Sequence, residues 1–411
     1  MASDTPGEER TLASFQPETK TEDITRCIVI PLETSKRKNE YLRECIDEWQ
    51  NVARTAAERL PSIRPNGWTR NNPQVGKIAK EYDRETISAA LTQQAVYKAT
   101  EAFDAWRELG YPGDRPIGRF GDGNYLRATN QQITIEENDH GYGAKLNFIP
   151  YNPIWFHLDT AGYHEKWLSR IVDPDDETRH GAGEVRLDDD GTAALHLTVV
   201  SKAEVVVAED VERWLGVDLG ESVIYATAIV GVHSGGVSGS GVEIESGREF
   251  RHYRERLKRK RDRLGSRGDL RGVRQCKGDI EKYTEQTLHT ASRRIVELAA
   301  DHAPCGIRLE DMGEYRETAH DPIHDWPRGM IADQIVYKAT AAGVPVELVD
   351  PRDSSQTCRK CGQTDPAARV DRSTFHCRRC DYEVHADVNA AINIARGGVR
   401  SSSSSPSSSE N

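Results

Sequence analysis

Cys358-Arg-Lys-Cys361 and Cys377-Arg-Arg-Cys380, followed by His385-Ala-Asp-Val-Asn-Ala-Ala-Ile-Asn-Ile-Ala395, carry the architecture of this chain. Two C-x-x-C knuckles, with fifteen residues between them, are spaced for a short β-hairpin. Four thiolates so arranged suit a tetrahedral zinc ion; the other reading of the pattern is a redox pair of C-x-x-C motifs. A zinc ion with four sulfur ligands keeps no open position, so its expected role is to fold the segment. The ribbon then runs into a helix with one carboxylate, Asp387, at its start. Cys27, Cys45, Cys276 and Cys305 are scattered and read as inert thiols rather than a disulfide framework. With no signal-like segment and no long apolar run, the expectation is a cytoplasmic, reducing setting and no membrane partner.

Working back from the ribbon, the preceding residues alternate apolar strands with helices. Trp214-Leu-Gly-Val-Asp-Leu-Gly220 reads as an interior strand and Val223-Ile-Tyr-Ala-Thr-Ala-Ile-Val230 as its hairpin partner. A basic helical region and an amphipathic helix ending near Ala300 lead to Cys305-Gly-Ile-Arg-Leu-Glu310, another buried strand. A helix over about 328–342 and the strand Val344-Pro-Val-Glu-Leu-Val349 complete the run. This order predicts a mixed α/β sheet of the ribonuclease H type over 211–398, with a zinc ribbon, 354–384, inserted before the last helix.

Three acids stand out in that frame. Asp218 and Glu310 end apolar strands, where an ionised group is costly unless compensated. Alone, Asp218 could be a turn residue helped by Gly216 and Gly220, and Asp387 could simply favour a helix dipole. Adjacent parallel strands would bring Asp218 and Glu310 to one sheet edge, and the last helix could lay Asp387 across it. Three such carboxylates repel unless cations neutralise them, and hard oxygen donors suit Mg2+ or Mn2+. Two such ions about 3.5–4 Å apart are the arrangement used for phosphodiester hydrolysis. Asn389, two residues on, is read either as orienting Asp387 or as a polar residue on the helix surface.

At first sight the composition opposes a nucleic-acid partner: the 411 residues carry a net charge of −11. Arginine outnumbers lysine, and acidic runs such as Asp173-Pro-Asp-Asp-Glu177 and Asp188-Asp-Asp190 resemble the surface of a protein adapted to high salt. The positive charge is concentrated, with 12 Lys/Arg against 3 Asp/Glu in 251–277. A solvated helix face is one reading of that run; a phosphate-facing helix, with Arg254, Lys258 and Arg261 as candidate contacts, is the other.

The amino-terminal half is less specific. Residues 1–24 are polar and read as a disordered tail, as does the Ser-rich 399–411. Cys27-Ile-Val-Ile-Pro31 reads as a strand, followed by helices over about 37–60 and 86–109; Ala90, Leu91, Ala95, Val96, Ala99 and Phe103 form the second helix's apolar face. From about 116 to 208 the pattern alternates, most clearly at Gln132-Ile-Thr-Ile135 and Ala194-Leu-His-Leu-Thr-Val-Val200, with a hairpin turn at Asp190-Gly191. A small β-barrel over 25–210 with a helical insertion over about 37–110 accounts for both.

Gly216-Val-Asp-Leu-Gly220, Leu309-Glu-Asp311, Ser355-Gln-Thr-Cys-Arg-Lys-Cys-Gly362, Cys377-Arg-Arg-Cys380 and His385–Ile394 together resemble TnpB, also called OrfB, and in turn the type V CRISPR effectors. The resemblance covers the carboxy-terminal half closely and the first 210 residues only in layout. It implies an RNA-guided, magnesium-dependent DNA endonuclease of a transposable element, with Asp218, Glu310 and Asp387 as the three acids of a RuvC-like site. It also implies a wedge barrel with a helical recognition insertion, a guide RNA from the same element, a double-stranded DNA target and a separate transposase. Asp350-Pro-Arg-Asp-Ser354 is more charged than the family's usual run, and the acidic surface and serine tail are additions. Two other classes fit the motifs: a nuclease-inactive RNA-guided or zinc-ribbon DNA-binding regulator, which loss of any of the three acids would favour, and a structure-selective nuclease needing no RNA.

Overall fold

The computed structural model describes residues 17–62, 72–82, 86–108, 116–120, 123–311, 313 and 326–398. The expected Ser-rich tail and residues 1–16 of the expected amino-terminal tail lie outside them. The chain divides into two units, 23–202 and the remainder, so the boundary falls at 202/203 rather than 210/211.

The first unit is entered through β1 (Thr19–Leu32), so residues 19–24 are strand and not tail. Its inward positions, Ile24, Ile28, Ile30 and Leu32, alternate with more exposed ones, the period-two pattern that anchors a strand on one face. Three helices follow: α1 (Lys36–Arg59), α2 (Pro73–Glu81) and α3 (Ala89–Glu108). Ser35 caps α1 by accepting from the Lys38 backbone N–H. Leu91, Ala95, Val96, Ala99 and Phe103 of the expected stripe are fully buried, while Ala90 is only half-buried. Then come β2 (Tyr125–Ala128), β3 (Ile133–Asn138), β4 (Gly141–Ile149), β5 (Asn152–His157), α4 (Gly162–Val172), β6 (Arg179–Leu187) and β7 (Ala193–Val206). They form a four-stranded sheet, β1-β7-β6-β2, and a three-stranded sheet, β3-β4-β5. An antiparallel bridge, Leu32–Leu158, and a bond from Glu33 N–H to the His157 carbonyl (2.9 Å) tie the two sheets together. The short helices α2 and α4 were not anticipated from the sequence.

The second unit holds β8 (Arg213–Leu219), β9 (Val223–Gly231), β10 (Val237–Ser246), α5 (Arg248–Gly265), α6 (Leu270–Ala300), β11 (Cys305–Glu310), α7 (Arg328–Ala341), β12 (Val346–Val349), the hairpin β13 (Thr374–Cys377) and β14 (Tyr382–His385), and α8 (Ala386–Ala395). The sheet order is β10-β9-β8-β11-β12, antiparallel on the β10-β9-β8 side and parallel from β8 through β11 to β12. β10 is an addition to the expected order; its Ser-Gly-Ser-Gly stretch hides the strand pattern. No described helix is long and apolar enough to cross a membrane.

Strand parity distributes the two faces of this sheet. Leu215, Val217 and Leu219 of β8, with Cys305, Ile307 and Leu309 of β11, pack under Phe250, Leu288, Ile295, Ile331 and Ile335 of α5, α6 and α7. Trp214, Ala228 and Val230 point the other way, against Val388, Ala391, Ile392 and Ala395 of α8. Val388, Ala391, Ile392 and Ala395 are thus the stripe of α8 that packs on this face; all ten residues of α8 are buried, because the ribbon covers its other side. Gly216 is required on that second face: a Cβ there would lie 2.0 Å from the Ala391 carbonyl oxygen and 2.4 Å from the Ala395 nitrogen.

Candidate active site

The same parity positions the acids. Asp218 follows Trp214 and Gly216 on the α8 face of β8, and Glu310 follows Gly306 and Arg308 on the same face of β11. The parallel register pairs Val217 with Leu309, so Asp218 and Glu310 end neighbouring strands side by side. Asp387 opens α8 at that end of the sheet and is buried. Burial, then Glu310, then Asp387 push the Asp218 carboxyl up to about 7, against the weaker opposite pull of Arg328 and Arg369. That is the signature expected of three carboxylates sharing one poorly solvated region.

Each of the other two acids has a partner from the ribbon. Arg369 donates from Nη2 to Oδ1 of Asp387 (2.8 Å), and Ser354 donates from Oγ to Oε1 of Glu310 (2.6 Å). Neither partner was singled out from the sequence; both come from the segment around the cysteines, whose spacing announces zinc and says nothing of the acids. Asn389 has a different role from either expected one. It is fully buried, donates to the Thr357 carbonyl (2.8 Å) and accepts from the Arg359 N–H (3.1 Å), so it holds the first knuckle onto α8. Asn393 does the same through the Ser354 and Thr357 carbonyls (2.8 and 2.7 Å).

Cys358, Cys361, Cys377 and Cys380 gather their sulfurs within 4.8 Å of one another. The pairs Cys358–Cys380 and Cys361–Cys377 are 3.7 and 3.6 Å apart. Zinc–sulfur bonds near 2.3 Å in a tetrahedron place sulfurs about 3.8 Å apart, so the donor set fits zinc. Each knuckle closes with a backbone bond, Gly362 N–H to Cys358 and Asp381 N–H to Cys377, and with positive φ at Gly362 and Asp381. Among the described residues this is the group that gathers so tightly; the three acids are more open, with Ser354 and Arg369 on two of them. Their all-oxygen set and mutual repulsion fit Mg2+ or Mn2+ better than a softer metal.

The basic helix differs from expectation in its orientation. Arg254 is buried and lies over the Phe250 ring (5.1 Å), so it faces the core and not a phosphate. Lys258 and Arg261, one and two turns on, share that half-buried side, and Arg261 pairs with Asp262 (2.9 Å). The exposed cations of α5 include Arg256, Arg259, Lys260 and Arg263.

A mixed five-stranded sheet with acids on one face, a helix crossing that face and a four-cysteine ribbon inserted before it define an α/β fold of the kind found in Cas12 effectors. A cryo-EM structure of a Cas12f1–sgRNA–target DNA complex superposes with a TM-score of 0.62 over 92% of this chain and 99% of that one, at 13% identity. The family model "Cas12f1-like, TNB domain" matches residues 329–394. The CRISPR-associated endodeoxyribonuclease Cas12f1 of Sulfoacidibacillus thermotolerans is 26% identical over 75% of this chain and 77% of its own length. The putative RNA-guided DNA endonuclease InsQ of Escherichia coli is 42% identical over a shorter stretch, 16% of each chain. In sequence the chain is similar to Cas12f-like and TnpB-like proteins, and its fold is that of a Cas12f1 structure.

Proposed function

We propose that this protein is an RNA-guided DNA endonuclease of transposon origin, cutting DNA at a RuvC-like site formed by Asp218, Glu310 and Asp387. The observation that carries the reading is the convergence of the three acids, with Asp218 and Glu310 side by side on parallel neighbouring strands and Asp387 opening α8. Burial, then Glu310 and Asp387, raise the Asp218 carboxyl, as expected of a region that a divalent cation would neutralise. The three carboxylates would hold Mg2+ or Mn2+, which would supply charge stabilisation at a scissile phosphodiester. Ser354 and the ribbon hold the acids in place, and Arg369 balances Asp387 until the cation arrives. The four cysteines hold zinc, which folds the ribbon. The amino-terminal unit serves as a wedge barrel with a helical recognition insertion. Sequence reading is delegated to base pairing between a guide RNA and the target strand, the division of labour that lets an acidic protein be specific.

The test is sequencing of the RNA that co-purifies with Asp218→Ala protein expressed from its native locus, followed by cleavage assays with that RNA. A discrete RNA is expected, and wild-type protein loaded with it should cut matched DNA in Mg2+ while Asp218→Ala does not. No enriched RNA from folded, zinc-loaded protein would overturn the guided reading. Undiminished cutting by Asp218→Ala would overturn the assignment of the acids.

A further inference from the structure

We infer that Ser354 is a positioning residue that couples the zinc ribbon to the catalytic carboxylate Glu310. Ser354 lies four residues before Cys358 and is almost fully buried. Its hydroxyl donates to Glu310 Oε1 at 2.6 Å. Its own carbonyl accepts from Asn393 of α8 (2.8 Å), and the same Asn393 nitrogen reaches the Thr357 carbonyl beside the first knuckle (2.7 Å). The chain of contacts therefore runs from the cysteine site, through Thr357 and Asn393, to Ser354 and onto Glu310. Asn389 adds a second pair of bonds to the same knuckle.

The chemical consequence lies in the carboxylate. With one oxygen held by a buried hydroxyl, Glu310 cannot rotate freely, and its other oxygen is left to face a cation. Partners that orient a metal ligand in this way typically set affinity within a factor of about 10–100. The ribbon thus acts on the catalytic centre through Ser354. The inference rests on the reading of Glu310 as a cation ligand.

Mn2+ binding to full-length, zinc-loaded protein without nucleic acid tests it, with free Mn2+ followed by electron paramagnetic resonance and zinc content measured alongside. Ser354→Ala and Ser354→Val are expected to weaken the tightest Mn2+ site about tenfold while keeping zinc. Ser354→Thr, which restores the hydroxyl that Val lacks at nearly the same volume, is expected to restore binding. In cleavage assays the same loss should appear as a higher half-saturating Mg2+ concentration, with the rate largely recovered at saturation. Undiminished Mn2+ binding in Ser354→Ala and Ser354→Val, with Asp218→Ala weakened, overturns the role of Ser354 alone. Unchanged binding in Asp218→Ala removes the acids as a cation site and the inference with them. Loss of zinc that Ser354→Thr does not reverse reduces Ser354 to a folding role and also overturns it.

Discussion

Asp218 and Gly216 sit two residues apart on one face of β8 and are constrained differently, one by charge and the other by space. Because the Asp218 carboxyl is raised to about 7 in the cation-free protein, its ionisation opposes folding. The unfolded chain loses that proton near 4, so this contribution is most favourable below about pH 4 and declines as pH rises towards 7. Asp218→Asn removes the charge at nearly constant shape. Without added Mg2+, but with zinc retained, it is expected to raise the thermal midpoint at pH 8. The gain corresponds to at most about 4 kcal/mol and should vanish near pH 4. A thermal melt of both proteins across that range checks the sign, and a gain larger at pH 4 than at pH 8 refutes the argument. Gly216 is governed by space alone. Gly216→Ala would drive a methyl into the backbone of α8, which cannot yield as a side-chain tip could. A loss of about 3 kcal/mol, the upper end for overpacking because backbone must move, is expected in urea unfolding, with cleavage reduced although all three acids remain.

At the scale of elements, strands and helices carried by apolar period were legible, and their partners often were not. β8, β9 and β11 could be read because each is dominated by apolar residues with few polar or glycine positions among them. β10 could not, since Val237-Ser-Gly-Ser-Gly241 lacks that period and is held by pairing with β9. The three acids could be expected to converge because parallel neighbours share their ends; Ser354, Arg369 and the inward turn of Asn389 depend on how the ribbon folds back on α8, which no local pattern encodes. Helix α5 shows the limit most directly. Its charge was visible, but of the candidate phosphate contacts Arg254 turns to the core, while Lys258 and Arg261 are half-buried. We therefore expect Arg256→Gln, Lys260→Gln and Arg263→Gln together to weaken nucleic-acid binding and flatten its salt dependence. The slope of log K against log salt should fall by about 2–3, at 0.7–0.9 per lost phosphate contact. Arg254→Gln should instead lower stability and leave the slope unchanged. Binding isotherms at several salt concentrations separate the two; an unchanged slope in the triple variant would return α5 to a solvated face.

For the molecule as a whole, charge is the property that reaches across every element. The net charge is −11 and residues 251–277 contribute +9, so the rest of the chain carries −20. Self-repulsion on that scale opposes the compact state at low ionic strength, and nucleic-acid binding through the basic segment is strongest under the same condition. Salt therefore drives the two properties in opposite directions. At about 1 M salt the Debye length shrinks to about 3 Å, which removes most of the repulsion between exposed acids but spares contacts made at hydrogen-bond distance. Raising KCl from about 0.1 to 1 M is thus expected to increase the thermal midpoint of the free protein while lowering its affinity for nucleic acid. Complexes held by many close phosphate contacts should survive, and those held only by long-range attraction should not. Melting curves and binding isotherms over one KCl series measure both effects. A midpoint that falls with KCl would mean that paired surface charges stabilise the fold more than the acidic excess strains it, and the reading of a chain suited to high salt would be wrong.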